Sequence, residues 1–116
     1  MLYGLAGSQL LIAGEAAGLV TVSEVFPDRR YEADGSLTSR RRTDALAETP
    51  EEAADRAVGF VRDGLVRSRQ GIWIQVRAET LCIHGDKEDA VPIAKAIRSA
   101  LEREGIGIAP PHKENT

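Results

Sequence analysis

Short runs rich in β-branched residues take turns along this chain with stretches whose apolar positions recur at helical spacing. Residues 2–5 (Leu2, Tyr3, Gly4, Leu5) predict the tail of a short strand closed by Ala6-Gly7. Ser8 then stands as an N-cap for a helix through Leu10, Leu11, Ala13, Glu15, Ala16 and Ala17. Gly18 sits where a left-handed C-cap residue is needed, a conformation that only Gly reaches cheaply. Residues 19–26 are short and rich in branched residues, which predicts a second strand. Helical periodicity resumes at Thr49-Pro50-Glu51-Glu52. Thr at the cap, Pro at the first helical position and Glu three residues after the cap predict a capping box. Ala53, Ala54, Ala57, Val58 and Val61 follow, and Gly64 ends the helix.

Residues 65–68 and 72–76 bracket Arg69-Gln70-Gly71, the pattern of a β-hairpin with a Gly-containing turn. Residues 80–83 form an apolar strand that stops at His84-Gly85-Asp86. A long helix follows through Ala90, Val91, Ile93, Ala94, Ile97 and Leu101, closed by Gly105. Residues 106–108 predict a last short strand, and residues 110–116 a flexible polar tail. Strand–loop–helix units with polar residues just past the strand ends predict an α/β fold with mostly parallel strands. In such folds that edge carries the site. Three parallel strands are too few to cover both faces as a parallel sheet requires, so the 1–116 segment reads as part of a larger domain, completed by a missing half or by another chain.

Between residues 27 and 48 the periodicity disappears. A loop of this length without structure of its own inside a domain is usually functional or disordered, and it is read here as a long functional loop.

Composition narrows the function classes. Hydrophobic residues make up 42% and charged residues 28%, ordinary values for a globular protein, and 116 residues leave room for a single domain. The net charge is −3, and the cations are scattered apart from Arg40, Arg41 and Arg42, so no nucleic-acid partner is expected. No apolar run approaches the roughly 20 residues that span a bilayer, and no basic region precedes the first apolar stretch as in a signal peptide. Cys82, the single cysteine, excludes an intrachain disulfide. Together these features predict a cytoplasmic protein without a membrane partner.

Two polar clusters carry the candidate chemistry. In the first, Gly85 allows a sharp turn and Asp86 is placed to cap the following helix. His84 projects at a strand's carboxyl end, where it can move a proton, bind phosphate or ligate a metal. A capping Asp and a structurally bonded His are the plainer reading. Cys82 lies inside the strand and reads as a small buried hydrophobe rather than a nucleophile. In the second cluster, Glu24 ends a strand expected to be buried. It therefore needs a cationic or metal partner, or a proton, and Arg29 and Arg40 are the candidate partners. Asp34-Gly35 is a tight turn on the plain reading. An ion pair between Asp28 and Arg29 that braces the loop competes there with ligand contact.

Glu24-Val25-Phe26 followed by Asp28-Arg29, Tyr31, Asp34-Gly35, Leu37 and Arg40, and later by Cys82-Ile83-His84-Gly85-Asp86, resembles the LamB/YcsF family, the A subunits of bacterial 5-oxoprolinases. The similarity runs from about Tyr3 to Ile108 and covers only the carboxyl-terminal half of the family pattern. Pro27 stands where Ala is usual. The resemblance implies a partial (β/α) barrel of the glycoside hydrolase/deacetylase type. It implies ATP-dependent opening of the 5-oxoproline lactam to glutamate, with ATP (and Mg2+) activating the lactam carbonyl and with the B and C subunits as partners. On this reading His84, Asp86 and Glu24 are catalytic, and Asp28, Arg29, Tyr31, Arg40 and Gly85 contact substrate or ATP. No metal site is assigned. Two alternatives stay open: a catalytically inactive truncated copy acting as an oligomeric or binding module, and a metal-dependent hydrolase using His84, Asp86 and Glu24 as ligands.

Overall fold

The computed structural model describes residues 1–46, 49–85 and 88–113. Three parallel strands, β1 (Leu2–Leu5), β2 (Thr21–Val25) and β5 (Thr80–Leu81), form a sheet with β2 in the middle. Helix α1 (Gln9–Ala16) makes the crossover between β1 and β2. Gly18, at φ +83°, supplies the left-handed turn that returns the chain to the sheet. The long crossover from β2 to β5 holds α2 (Pro50–Val58) and a separate antiparallel hairpin of β3 (Leu65–Arg67) and β4 (Trp73–Gln75). The chain closes on α3 (Ala90–Arg103).

The cap expected at Thr49 is present, since its side chain accepts from the Glu52 amide at 3.1 Å. The Glu52 carboxylate meets the Arg30 guanidinium at 2.7 Å and ties α2 to the preceding loop. Beyond Val58 the helix loosens into a π-helical turn, Gly59–Asp63. Apolar faces of α2 and α3 make one core, with Ala53, Ala54 and Ala57 against Ile93, Ile97, Ala100 and Leu101. A second core joins Val25, Tyr31, Phe60 and Val66, with the Tyr31 and Phe60 rings 5.5 Å apart.

Several boundaries differ from the sequence expectation. Residues 106–108 form no strand. Ile106 packs on the α2–α3 core instead, because its amide is taken by the Leu101 carbonyl at 3.0 Å in the turn that ends α3. Helix α3 begins at Ala90 with Asp89 at the cap position, downstream of the expected start. Asp86, expected as that cap, lies outside the described residues. Lys113 donates to the Thr21 carbonyl at 2.7 Å and pairs with Glu79, which tethers the end of the described chain to the sheet. No described helix is long and apolar enough to cross a membrane.

Candidate functional site

Parallel pairing brings the two polar clusters together. β2 and β5 run in register, Glu24 beside Thr80 and Val25 beside Leu81, and the Cys82 amide donates to the Val25 carbonyl at 2.9 Å. The chains therefore leave the sheet side by side. Asp28 lies three residues past the end of β2, and His84 lies three past the end of β5. At that matched offset they meet.

Asp28 is almost wholly buried, 1% exposed. Its Oδ2 accepts from the His84 amide at 2.9 Å and lies 3.0 Å from His84 Nδ1. An ionised carboxylate only accepts, so this contact places the imidazole proton on Nδ1 and leaves Nε2 with its lone pair. The Phe26 ring stacks on the imidazole, with centroids 5.6 Å apart and planes inclined by 22°. His84 is thus held from two sides: Asp28 fixes the tautomer and Phe26 fixes the plane. A carboxylate–imidazole pair of this kind can accept or deliver a proton through Nε2.

The turn beneath this pair is ordered by its own buried polar groups. Arg29, 7% exposed, sends Nη2 to the Thr38 carbonyl at 2.8 Å. Burial lowers its pKa, and the neighbouring Arg40 charge lowers it further. The expected ion pair between Glu24 and Arg29 is absent. Arg29 folds back beneath its own loop, where Nη2 is used on the Thr38 carbonyl and the buried Nε has no partner among the described residues. The Asp28–Arg29 brace is also replaced, because Asp28 takes His84 as its partner. The Tyr31 hydroxyl accepts from the Phe26 amide at 3.0 Å, and burial pushes its pKa up to about 12. Tyr31 is therefore part of the core under the turn, 1% exposed, rather than a surface contact for a ligand. Asp34 Oδ1 accepts from the Ser36 amide and hydroxyl at 2.9 and 2.6 Å, with Gly35 at φ +89°, as expected of a tight turn.

Cys82 is half-buried. Burial raises its thiol pKa, and the nearby carboxylates of Glu24 and Asp28 raise it further, so the thiol stays protonated; β5 ends at Leu81, which leaves Cys82 just past the strand rather than buried inside it. Gly85 does not adopt a positive φ, and a Cβ there would meet no atom of the described residues, so its own backbone conformation does not require glycine. Asp86, the remaining predicted catalytic residue, lies outside the described residues. Among those that are described, no group of three His, Cys, Asp or Glu side chains is placed to hold a metal ion.

A cleft of about 650 Å³ opens at the carboxyl end of β1. It lies between residues 5–9, the 34–36 turn and residues 74–77. Arg56 escaped the sequence reading: it reaches from α2 to the carbonyls of Pro27 and Arg29, around Asp28. Within a helix as charged as α2, nothing in the local pattern marks it out.

Comparison with known proteins adds an independent line. The family model described as "LamB/YcsF family" matches residues 1–116. The chain is 49% identical over 114 residues to the A subunit of 5-oxoprolinase from Geobacillus kaustophilus, covering 98% of this chain and 44% of that protein. It is 51% identical over 108 residues to the protein of the same name from Bordetella pertussis, with 93% and 43% covered. Among solved structures, the lactam utilization protein from Thermus thermophilus superposes with a TM-score of 0.86 at 39% identity, over 92% of this chain and 42% of that one. The chain therefore spans less than half the length of these relatives.

Proposed function

Because this chain belongs to the LamB/YcsF family, we propose that it forms part of an ATP-dependent 5-oxoprolinase that opens the 5-oxoproline lactam to glutamate, with His84 as its proton-transfer residue. The observation that carries this reading is the Asp28–His84 pair, built at matched offsets past two paired parallel strands and leaving Nε2 available. Asp28 holds the imidazole, and Glu24 adds a carboxylate near the same strand ends. Asp86, two residues after His84, is the third member of the proposed catalytic set.

ATP would supply activation of the lactam carbonyl. Arg29, with Nη2 on the Thr38 carbonyl, and Arg40 beside it supply the positive charge for phosphate contact. Arg29 and Tyr31 then shape the pocket from below, and Gly85, which has no described side chain or backbone packed where its Cβ would stand, lets a substrate approach the backbone. The name of the relatives, as one component of an enzyme with several, supports assembly with B and C subunits. Their greater length supports a barrel completed by a further half or by a second copy of the chain.

The decisive experiment combines this chain with the unmatched portion of a full-length relative and with the B and C subunits, and follows ATP hydrolysis. Turnover that requires 5-oxoproline, and that falls at least about a hundredfold in His84→Ala, is the expected result for a general acid–base residue. A fully reconstituted assembly without lactam-dependent hydrolysis would refute the proposal. Turnover that survives His84→Ala would move the chemistry elsewhere.

A further inference from the structure

Arg56 points its guanidinium at backbone rather than at a carboxylate. Its Nε donates to the Pro27 carbonyl at 3.2 Å and its Nη2 donates to the Arg29 carbonyl. Those two carbonyls flank Asp28 on either side. Burial lowers the Arg56 pKa, while Glu52, one helical turn earlier, partly offsets that through its charge. A cation taken out of water in this way is costly unless its donors are used, and both of these hydrogen bonds go to the one turn that carries Asp28.

The consequence runs outward by contact. Asp28 Oδ1 has no hydrogen-bond partner among the described residues, so Oδ2 alone ties this side chain to its surroundings, and it does so through His84. The aim of Oδ2 therefore depends on where the 27–29 backbone is held. Arg56 holds it from α2, an element the sequence reading left outside the site.

We propose that Arg56 is a positioning residue for the Asp28–His84 pair: its two-pronged grip on the carbonyls of Pro27 and Arg29 fixes Asp28, and through it the imidazole tautomer of His84. This rests on the reading that the pair does the chemistry, but it can be tested without substrate, ATP or partner proteins. Lys presents a single point of donation and cannot span both carbonyls, whereas Met fills similar space with no donor.

The test is nitrogen-edited NMR of the side-chain imidazoles in the 116-residue chain. His84 and His112 are the only two histidines, and exposed His112 serves as the internal reference. In the parent, His84 should show the pattern of a single Nδ1–H tautomer. Asp28→Ala, which removes the acceptor altogether, marks the pattern of a released ring. Arg56→Met should shift the His84 nitrogen resonances toward that released pattern and leave those of His112 in place, with Arg56→Lys falling between. Where Arg56→Met does not fold, Arg56→Lys gives the reading. A His84 spectrum identical to the parent in a folded Arg56 variant overturns the proposal, even if denaturation shows lost stability, because Arg56 would then be only a staple between helix and loop. A failed activity reconstitution leaves this spectrum readable, and an unmoved spectrum leaves the activity test standing.

Discussion

Helices α1 and α3 place their apolar residues by different rules. In α3 the large ones past its first turn fall on one stripe, with Ile93, Ile97, Ala100 and Leu101 buried against α2 and the charged residues turned outward, and only Val91 at its start is exposed. In α1 they surround the helix. Leu11 and Gly14 are buried on the sheet, while Leu10 is 53% and Ile12 55% exposed. Among the described residues, five of the ten exposed large hydrophobics (Met1, Tyr3, Leu10, Ile12 and Leu19) lie in the first nineteen positions. A helix apolar on all sides is one that suits a protein interior, whereas a striped helix needs only one neighbour. The α2–α3 pair meets its own requirement within this chain. The β1–α1 unit, at one edge of the sheet, does not.

Breaking the self-sufficient side should cost most. Ile97→Ala removes a buried branched side chain from the α2–α3 core and is expected to lower stability by about 2–5 kcal/mol, measured by urea denaturation. A loss below about 1 kcal/mol would show this interface to be loose and the contrast false.

A smaller effect is expected from the second core. The folded state holds the Tyr31 proton more tightly than the unfolded chain does. Its contribution is therefore complete below pH 10 and disappears as pH rises from there through about 12. On the order of 2 kcal/mol is lost across that window. Denaturation midpoints taken from pH 9 to 12 should fall more steeply for the parent than for Tyr31→Phe. Parallel curves would mean that the hydroxyl ionises without resistance.

The smallest effect should come from the uncovered helix. Leu10→Lys is expected to change the stability of the isolated chain by no more than about 0.5 kcal/mol and to reduce self-association seen by light scattering. A loss as large as that of Ile97→Ala would show that α1 is already covered and would erase the comparison.

The sequence made the local features readable and left the long-range ones hidden. Thr49, Pro50 and Glu52 marked the start of α2 because capping depends on residues three apart. The hairpin was visible because Gly71 sits between two matched runs. The motif pieces around Asp28 and His84 pointed to the family, which the comparisons bear out. Their partnership was not readable, since it spans 56 residues and exists only because β2 and β5 pair in register. Arg29 is one of two candidate partners for Glu24 on charge and shape, but in the folded loop it donates to the Thr38 carbonyl instead. Tyr31, implied by the resemblance as a contact for substrate or ATP, has only polar sequence neighbours to mark it, and the turn folds it against Phe60.

Cys82 turns the crowding at the strand ends into something a chemist can use. Flanked by two anions and partly shielded from water, its sulfur resists the loss of a proton that alkylating and oxidising reagents require. Preparations should therefore tolerate air and iodoacetamide well near neutrality. A sudden gain in thiol reactivity would report that the negative charge nearby had been neutralised or withdrawn.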